Sequence, residues 1–252
     1  MSVYICYMKT VLITGANKSI GFETARQLLQ QGYYVYLGAR DTEKGLAAVK
    51  LLQQEGFDQV EFLLIDVDNP ASIVSARETL GKKAPVLDVL INNAGISGGF
   101  PQTSIGAGIN TFRKVFETNF FGVIEVTQAF IDLLYQSIQP RIVNVTSGLG
   151  SLTLHNDPNW KYYQVKGACY VSSKAALNAY TIVLTYDLKD TAFKVNAVDP
   201  GYTATDFNHH NGPGTIPDAA ARIVKAATLG PEGPTGQFFS DDNNPQTGIS
   251  PW

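Results

Sequence analysis

Short, continuously apolar segments alternate along this chain with longer segments of helical periodicity, and that alternation limits the possible folds more than any other feature. The segments that we predict as strands are Thr10–Thr14, Tyr33–Gly38, Val60–Ile65, Val86–Ile91, Arg141–Thr146, Lys194–Val198 and Gln237–Phe239. The predicted helices are Ile20–Gln31, Thr42–Gln54, Ala71–Lys83, Thr111–Ile138, Ala168–Leu188 and Asp218–Thr228. Continuous hydrophobicity is typical of strands buried on both faces of a parallel sheet. We therefore predict an α/β fold with a doubly wound, mostly parallel seven-stranded sheet and helices on both faces, a three-layer sandwich.

The 252-residue chain contains no linker, repeat or low-complexity segment that would divide it, so we expect one domain over residues 1–252. Residues 1–8 precede the first predicted strand, and we expect them to be an optional or disordered extension. Three segments rich in Gly, Pro, Asn or Ser each follow a strand: Ile96–Asn110, Gly148–Gly167 and Tyr202–Pro217. They should lie at the carboxyl edge of the sheet, where open α/β folds bind ligands. We expect them to form a substrate cleft with a lid, and residues 202–217 are called the lid below.

Charge and cysteine content exclude several classes of function. The net charge is −3 and no block of Lys or Arg forms an obvious basic patch, so nucleic acid is not an expected partner. No apolar segment approaches the ~20 residues needed to span a bilayer, so no membrane partner is expected. The two cysteines, Cys6 and Cys169, are too few for a disulfide framework, and the three histidines lack metal-ligand spacing. We expect a cytoplasmic protein without a metal site.

Residues 14–21, Thr-Gly-Ala-Asn-Lys-Ser-Ile-Gly, lead from the first strand into the first helix and are called the phosphate loop below. Glycines in such a turn let the backbone approach a pyrophosphate, and the helix N-terminus supplies free N–H groups and partial positive charge. Ser19 stands where a second glycine would be usual, and its hydroxyl can contact phosphate. The predicted contacts to the cofactor in this loop are Gly15, Asn17, Lys18, Ser19, Ile20 and Gly21.

Residues after the next three strands complete the predicted cofactor site. A carboxylate at the tip of the second strand would bind a ribose 2′-hydroxyl, but Ala39 is followed here by Arg40. A guanidinium suits a 2′-phosphate, and Lys18 can add a second positive charge, so NADP is favoured over NAD. Asp66, followed by Val67, can accept a hydrogen bond from an adenine amino group. The end of the fourth strand adds predicted contacts from Asn93, Ala94 and Gly95.

Tyr170 and Lys174 are four residues apart in a predicted helix and therefore project from one face of it. An ammonium group near a phenol favours the phenolate and lowers its pKa. Such a pair can exchange a proton with an alcohol or a carbonyl oxygen. The same spacing also occurs in ordinary helices that carry one aromatic residue and one exposed lysine, so the pair gains meaning only from the other motifs.

The motifs occur together in one order: Thr14-Gly15-x-x-x-Ser19-x-Gly21, Asn92-Asn93-Ala94-Gly95, Asn119, Ser147, Tyr170-x-x-x-Lys174 and Asp199-Pro200-Gly201. In this order the chain resembles the short-chain dehydrogenases/reductases, in their compact branch, over residues 9–240. Its Ala16-Asn17-Lys18 is similar to the carbonyl-reductase-like members. The resemblance implies a Rossmann fold and an NAD(P)-dependent oxidoreductase, favouring a carbonyl reductase that interconverts an aldehyde or ketone and its alcohol.

The resemblance also implies roles for a tetrad of Asn119, Ser147, Tyr170 and Lys174. Tyr170 would exchange the proton with the substrate oxygen, which Ser147 would hold. Lys174 would lower the pKa of Tyr170 and hold the nicotinamide ribose, while Asn119, on an apolar helical stripe, would serve a proton relay through the lysine. Pro200, Gly201 and Thr203 would lie beside the nicotinamide. By analogy, a homodimer or homotetramer is expected through helices Thr111–Ile138 and Ala168–Leu188.

Two alternatives remain open at this point. A 3-oxoacyl carrier-protein reductase would favour a basic patch near the cleft, and the three loops contain none. A regulator that senses NADP without catalysis need not keep the four tetrad residues. The segment between Ser147 and Tyr170 is longer than in most compact members of the family. It carries Trp160, Tyr162 and Tyr163, which would form a wall of the cleft or pack on the surface.

Overall fold

The computed structural model describes residues 7–252 and contains one seven-stranded sheet. Its strands are β1 (Thr10–Ile13), β2 (Tyr34–Ala39), β3 (Val60–Leu64), β4 (Val89–Asn92), β5 (Arg141–Val145), β6 (Lys194–Val198) and β7 (Phe238–Phe239). Their order across the sheet is β3-β2-β1-β4-β5-β6-β7, and every neighbouring pair is parallel. The predicted doubly wound sheet is confirmed. Because the strands are parallel, the segments that follow β1, β4, β5 and β6 share one edge of the sheet.

The helices connect the strands in the order that the periodicity predicts. They are α1 (Ser19–Gln30), α2 (Thr42–Gln54), α3 (Pro70–Lys83), α4 (Ile109–Phe116), α5 (Gly122–Leu134), α6 (Leu152–His155), α7 (Ala168–Asp187) and α8 (Ile216–Ala227). Side-chain caps and proline residues mark the first turn of several of these helices. The Asn69 side chain caps α3 by accepting hydrogen bonds from the N–H groups of Ala71 and Ser72, at 3.0 and 3.3 Å. Pro70 follows at the first helical position, where its missing N–H costs nothing.

Side chains on the two faces of the sheet form two apolar clusters. Ile13 of β1 belongs to the cluster that contains Leu28 of α1 and Ile223 of α8. Its neighbour Leu12 belongs to the opposite cluster, together with Phe130 of α5. All five side chains are fully buried, and each contributes about 1.5–3 kcal/mol from the apolar area removed from water. Helices thus cover both faces, as predicted.

The segment predicted as one helix over Thr111–Ile138 is interrupted by a π-helical turn at Glu117–Phe121. In this turn the Gly122 N–H donates to the Glu117 carbonyl, five residues back. The cause lies partly outside the helix, because Gly122 is pressed against the loop after β3. A Cβ on Gly122 would lie 2.5 Å from the Val67 carbonyl oxygen. Periodicity alone therefore could not predict the interruption.

Residues 1–6 of the predicted extension, including Cys6, lie outside the described residues. Tyr7 is fixed to the sheet, since its phenol donates to the Asp88 carboxylate at 3.0 Å. The same carboxylate oxygen accepts the Thr10 N–H at 2.8 Å. Between residues 7 and 252, no helix is long and apolar enough to cross a bilayer.

Candidate active site

The phosphate loop is folded so tightly that only glycine fits at two of its positions. Gly15 has φ +65°, and a Cβ there would lie 2.9 Å from the Cα of Ala94. A Cβ on Gly21 would lie 2.6 Å from Nδ2 of Asn93. Asn17 and Ile20 are half-buried in the same loop. The loop therefore packs directly against the residues that follow β4, with no room for a side chain at either glycine.

Ser19 has φ +55°, in the left-handed region that favours glycine, which explains why a glycine is usual there. Its Oγ is buried but has no hydrogen-bond partner among residues 7–252. The N-cap residue of α1, Lys18, makes no side-chain cap either, so the helix begins with free backbone N–H groups. A buried hydroxyl without a partner beside an uncapped helix start suits the oxygens of a phosphate group.

The end of β4 is tied to the phosphate loop by hydrogen bonds. The Thr14 hydroxyl accepts from the N–H groups of Asn93 and Ala94, at 3.0 and 3.1 Å. The Asn93 side chain donates to the carbonyls of Thr14 and Gly15 at 2.9 and 3.1 Å. Asn92 instead faces the core, where it donates to Oδ1 of Asn144 at 2.9 Å. Of the two asparagines, only Asn93 bonds to the phosphate loop.

The residues predicted to border the adenine and its ribose lie after β2 and β3. Arg40 follows β2 with an exposed side chain, and no ion pair to it is found within residues 7–252. Asp41 is committed to α2, since its carboxylate accepts the Lys44 N–H at 3.0 Å as the N-cap. Asp66 follows β3 and is half-buried, with one oxygen accepting from Asp68 N–H at 3.2 Å. The Asp41 carboxylate therefore does not pair with the Arg40 guanidinium, which can bind a phosphate.

Tyr170 and Lys174 are buried one turn apart in α7, at 8% and 4% exposure. The Lys174 ammonium donates to the Val145 carbonyl at 2.8 Å and lies 5.8 Å from the centre of the Tyr170 ring. Ser147 ends the same strand segment, and its Oγ accepts the Leu149 N–H at 3.2 Å. The structure thus brings the predicted phenol, ammonium and hydroxyl together at the carboxyl edge.

Burial dominates the acid–base properties of this group of residues. It raises the pKa of Tyr170 above its ordinary value, although the Ser147 side chain acts in the opposite direction. It lowers the pKa of Lys174 to about 8, against the opposing charge of Asp199. The predicted lowering of the Tyr170 pKa by Lys174 is therefore not found among the protein's own groups, because desolvation of the buried phenol outweighs it.

Asn119 lies in the π-helical turn and is fully buried. Its side chain accepts the Ile96 N–H at 2.8 Å and donates to the Ile96 carbonyl at 2.9 Å. Its amide also donates to the Ser173 hydroxyl at 3.0 Å. A Cβ on Gly95 would lie 3.3 Å from Oδ1 of Asn119 and 3.6 Å from Nζ of Lys174. The amide is therefore fully bonded and lies close to the ammonium.

The segment that follows β6 contains the residues predicted to lie beside the nicotinamide. Asp199 is buried, and its carboxylate accepts the Gly201 N–H at 2.9 Å and the Ser240 hydroxyl at 2.6 Å. Burial raises the pKa of Asp199, while these hydrogen bonds lower it. Thr203 is buried as well, with its hydroxyl donating to the carbonyl of Pro200 at 3.3 Å. A buried carboxylate near Lys174 was not predicted, since the motif alone does not show where Asp199 points.

One aromatic residue of the lid lies beside Tyr170, and another contacts the loop over residues 148–167. The Phe207 ring of the lid lies 5.6 Å from the Tyr170 ring, centre to centre. Tyr162 lies edge-on to Tyr202 of the lid at 6.3 Å, and to Trp160 at 5.5 Å. The loop over residues 148–167 therefore contacts the lid, and its role as a wall of the cleft stays a prediction. Phe207 was not predicted, because nothing in the sequence indicates how the lid folds back on α7.

Comparisons with known proteins agree with this arrangement. A family model described as short chain dehydrogenase matches residues 9–215. The chain is 38% identical to a protein named short-chain dehydrogenase anuI from Penicillium roqueforti, over 92% of this chain and 94% of that one. It is 34% identical to a (+)-neomenthol dehydrogenase from Capsicum annuum, over 90% of this chain and 94% of that one.

A solved structure, that of salutaridine reductase from Papaver somniferum, superposes with a TM-score of 0.80. It is 29% identical and the match covers 91% of this chain and 99% of that one.

Proposed function

Because the chain belongs to the short-chain dehydrogenase family, an oxidoreductase family acting on alcohols and carbonyls, we propose that it is an NADPH-dependent carbonyl reductase. The observation that carries the proposal is the buried pair of Tyr170 and Lys174 beside Ser147, at the same sheet edge as the phosphate loop. Burial of both groups costs free energy. Desolvation destabilises the charged ammonium, and the hydroxyl of a buried phenol requires a hydrogen-bond partner. Such a pair is therefore better explained by chemistry than by packing.

The residues of the cleft fit a dinucleotide. The unpartnered Ser19 hydroxyl and the free N–H groups of α1 would hold the pyrophosphate. Arg40 and Lys18 would hold a 2′-phosphate, and Asp66 with Val67 would border the adenine. Asn93, Ala94 and Gly95, with Pro200, Gly201 and Thr203, would line the ribose and nicotinamide end. When bound, NADPH supplies the hydride.

In the proposed mechanism Tyr170 donates the proton that the reduced carbonyl oxygen requires. The raised pKa keeps the phenol protonated at neutral pH, which suits reduction better than oxidation. Ser147 would hold the substrate oxygen and stabilise the negative charge that develops on it. Lys174, whose pKa of about 8 lies near neutrality, would hand a proton to Tyr170 after each turnover. Asn119 would fix the loop at Ile96 that borders this lysine.

The rings around Tyr170 indicate an apolar substrate. Phe207 and Tyr202 of the lid are 43% and 45% exposed, so they offer apolar surface at the mouth of the cleft. Since Phe207 lies 5.6 Å from the Tyr170 ring, a carbonyl compound bound at Tyr170 would lie beside this apolar ring. We therefore expect apolar ketones or aldehydes to be preferred over charged ones. A cytoplasmic location remains a prediction from the cysteine count.

The test is oxidation of NADPH and of NADH by the purified protein over a panel of apolar and polar carbonyl compounds. We expect turnover with NADPH and an apolar ketone, and Tyr170→Phe should lower kcat by about 10²–10⁴-fold, the usual contribution of a general acid. Phe keeps the buried ring of Tyr170 and removes only the hydroxyl, so this substitution should leave the fold intact. Tight NADPH binding without turnover across the panel would instead indicate a regulator, and turnover of acyl carrier-protein substrates alone would indicate a 3-oxoacyl carrier-protein reductase.

A further inference from the structure

The helix that carries Tyr170 begins without a cap of its own. A helix leaves its first N–H groups without partners inside the helix. The N-cap residue of α7 is Gly167, which has no side chain to supply one. These N–H groups are buried with the active site, so they must be satisfied from elsewhere in the chain.

Gln102, from the loop after β4, provides the missing partners. Its side-chain oxygen accepts the N–H groups of Cys169 and Tyr170, both at 3.0 Å. Its backbone carbonyl accepts the Ala168 N–H, also at 3.0 Å. Gln102 is 4% exposed, so no water competes for these bonds. One residue from a distant loop thus caps the first turn of α7, including the backbone of the proposed acid.

The amide nitrogen of the same side chain holds the loop itself. It donates to the carbonyls of Ser97 and Gly99 at 2.6 and 2.5 Å. Gly98 and Gly99 have φ of +78° and +80°, so the loop turns its carbonyls towards this amide. Glutamine is the residue that this site requires. A carboxylate would face two carbonyl oxygens, and an apolar side chain would leave all four groups without partners.

A second amide completes the attachment from the other side of α7. The Tyr170 carbonyl accepts the Ser173 hydroxyl at 2.7 Å, and that hydroxyl accepts from Asn119 at 3.0 Å. Asn119 in turn binds both backbone groups of Ile96, in the same loop that contains Gln102. The N–H and the carbonyl of Tyr170 are therefore both fixed to one loop, by two buried amides.

We infer that Gln102 is a positioning residue that sets the place of the Tyr170 phenol through its backbone. The inference rests on the proposed function, since it assigns Gln102 a part in that reaction. Small displacements of a reacting group, of about 1 Å, can cost 10²-fold in rate. Loss of the Gln102 bonds should therefore lower kcat while the phosphate loop, and so NADPH binding, is unaffected.

The test compares Gln102→Leu with Asn69→Leu, which removes an equivalent two-bond amide cap from α3. We expect Gln102→Leu to lower kcat at saturating NADPH by at least tenfold, with the KM for NADPH changed less than threefold. Asn69→Leu should lower the Tm and keep kcat. Hydrogen exchange of a peptide covering residues 168–174 should accelerate in Gln102→Leu alone.

Gln102→Glu serves as the conservative variant and as the safeguard if Gln102→Leu does not fold. A protonated carboxyl both donates and accepts, like the amide, whereas the ionised form cannot donate to Ser97 and Gly99. The ratio of its kcat to that of the parent should therefore fall as pH rises. A folded Gln102→Leu with unchanged kcat, or a Gln102→Glu ratio that is flat with pH, would overturn the inference. A parent chain without carbonyl turnover would contradict the proposed function itself, and the positioning role with it.

Discussion

The Lys18 ammonium lies 2.8 Å from the Asp206 carboxylate and thereby joins the phosphate loop to the lid. Both side chains are more than half exposed, at 62% and 53%, so the pair is worth little to stability. Asp206 and the 2′-phosphate that Lys18 is proposed to bind are both anions. The two would therefore compete for the same ammonium, and NADPH binding should be coupled to the contacts of the lid.

Asp206→Asn should tighten NADPH binding about two- to fivefold, because it releases Lys18 for the phosphate while a surface pair contributes under about 1 kcal/mol. NADH lacks the 2′-phosphate, and its Kd should not change. Fluorescence titration of both cofactors at low salt measures the effect, which should shrink at high salt. Equal weakening of both cofactors would show instead that the pair serves to hold the lid closed.

Arg40→Asp should shift the preference from NADPH towards NADH. Loss of a charge-assisted hydrogen bond costs about 1.5–3 kcal/mol, so the ratio of kcat/KM values should fall about 10- to 100-fold. Lys50→Asp is the matched control, since it makes the same charge change on the exposed surface of α2. Equal use of both cofactors by the parent chain would contradict the NADP assignment.

Ser19→Gly and Ser19→Ala separate backbone strain from phosphate binding. The left-handed φ of +55° costs a non-glycine residue roughly 1–2 kcal/mol, so Ser19→Gly should raise the free energy of unfolding by about 1 kcal/mol. Thermal unfolding should show a rise in Tm of about 2–4 °C. Ser19→Ala should not show that gain. Both variants should weaken NADPH binding about tenfold, since both lack the hydroxyl; unchanged binding would exclude Oγ as a phosphate contact.

The rate of carbonyl reduction should fall as pH rises through about 8. Burial lowers the pKa of Lys174 to about 8, so the ammonium is present below that pH and is lost above it. The proposed mechanism needs this proton, and kcat should therefore be level below pH 8 and decline above it. The charge of Asp199 raises the pKa of Lys174, so Asp199→Asn should move the decline to lower pH. The measurement is kcat as a function of pH for the parent and for Asp199→Asn. The same midpoint of the decline in both proteins would contradict the influence of the Asp199 charge on the Lys174 pKa.

We expect a homodimer or homotetramer formed through α7 and the segment around α5. Val183 and Tyr186 of α7 are 57% and 65% exposed, and Phe121 before α5 is 47% exposed. Val183→Asp should lower the mass measured by light scattering, whereas the parent should have two or four times the chain mass of 27.3 kDa. Leu46→Asp, at a residue of α2 with 54% exposure, is the control and should keep the mass of the parent assembly. A monomeric parent chain would contradict the expectation.

The order of strands and helices could be predicted because buried parallel strands and amphipathic helices have different periods. Two site residues, Ser147 and Asn93, lie at one sheet edge because parallel strands end together. Two others, Tyr170 and Lys174, lie near the start of α7, which begins at that same edge. Their catalytic and binding roles remain predictions, as does the single domain over residues 1–252.

Other features depend on contacts between segments far apart in sequence, which periodicity does not encode. The π-helical turn reflects the approach of Gly122 to Val67, and the raised pKa of Tyr170 reflects burial under the folded chain. Gln102 and Phe207 come from irregular loops, where neither residue type nor spacing indicates the contact. These are the features of the candidate site that only the structure reveals.

The π-helical turn also determines which mutations the Asn119 site can tolerate. Its hydrogen bond spans five residues where an α-helix spans four, so the turn holds one residue more than the helices on either side. Deleting one residue there would remove the extra residue and join α4 and α5 into one α-helix, so the side chains of the turn itself, Asn119 among them, would change direction while the flanking helical faces kept theirs. Asn119 would then leave Ile96 although every side chain of the tetrad was still encoded. During the evolution of such chains, deletion of a single codon in this turn would therefore disrupt the contacts of Asn119 more than most single substitutions would.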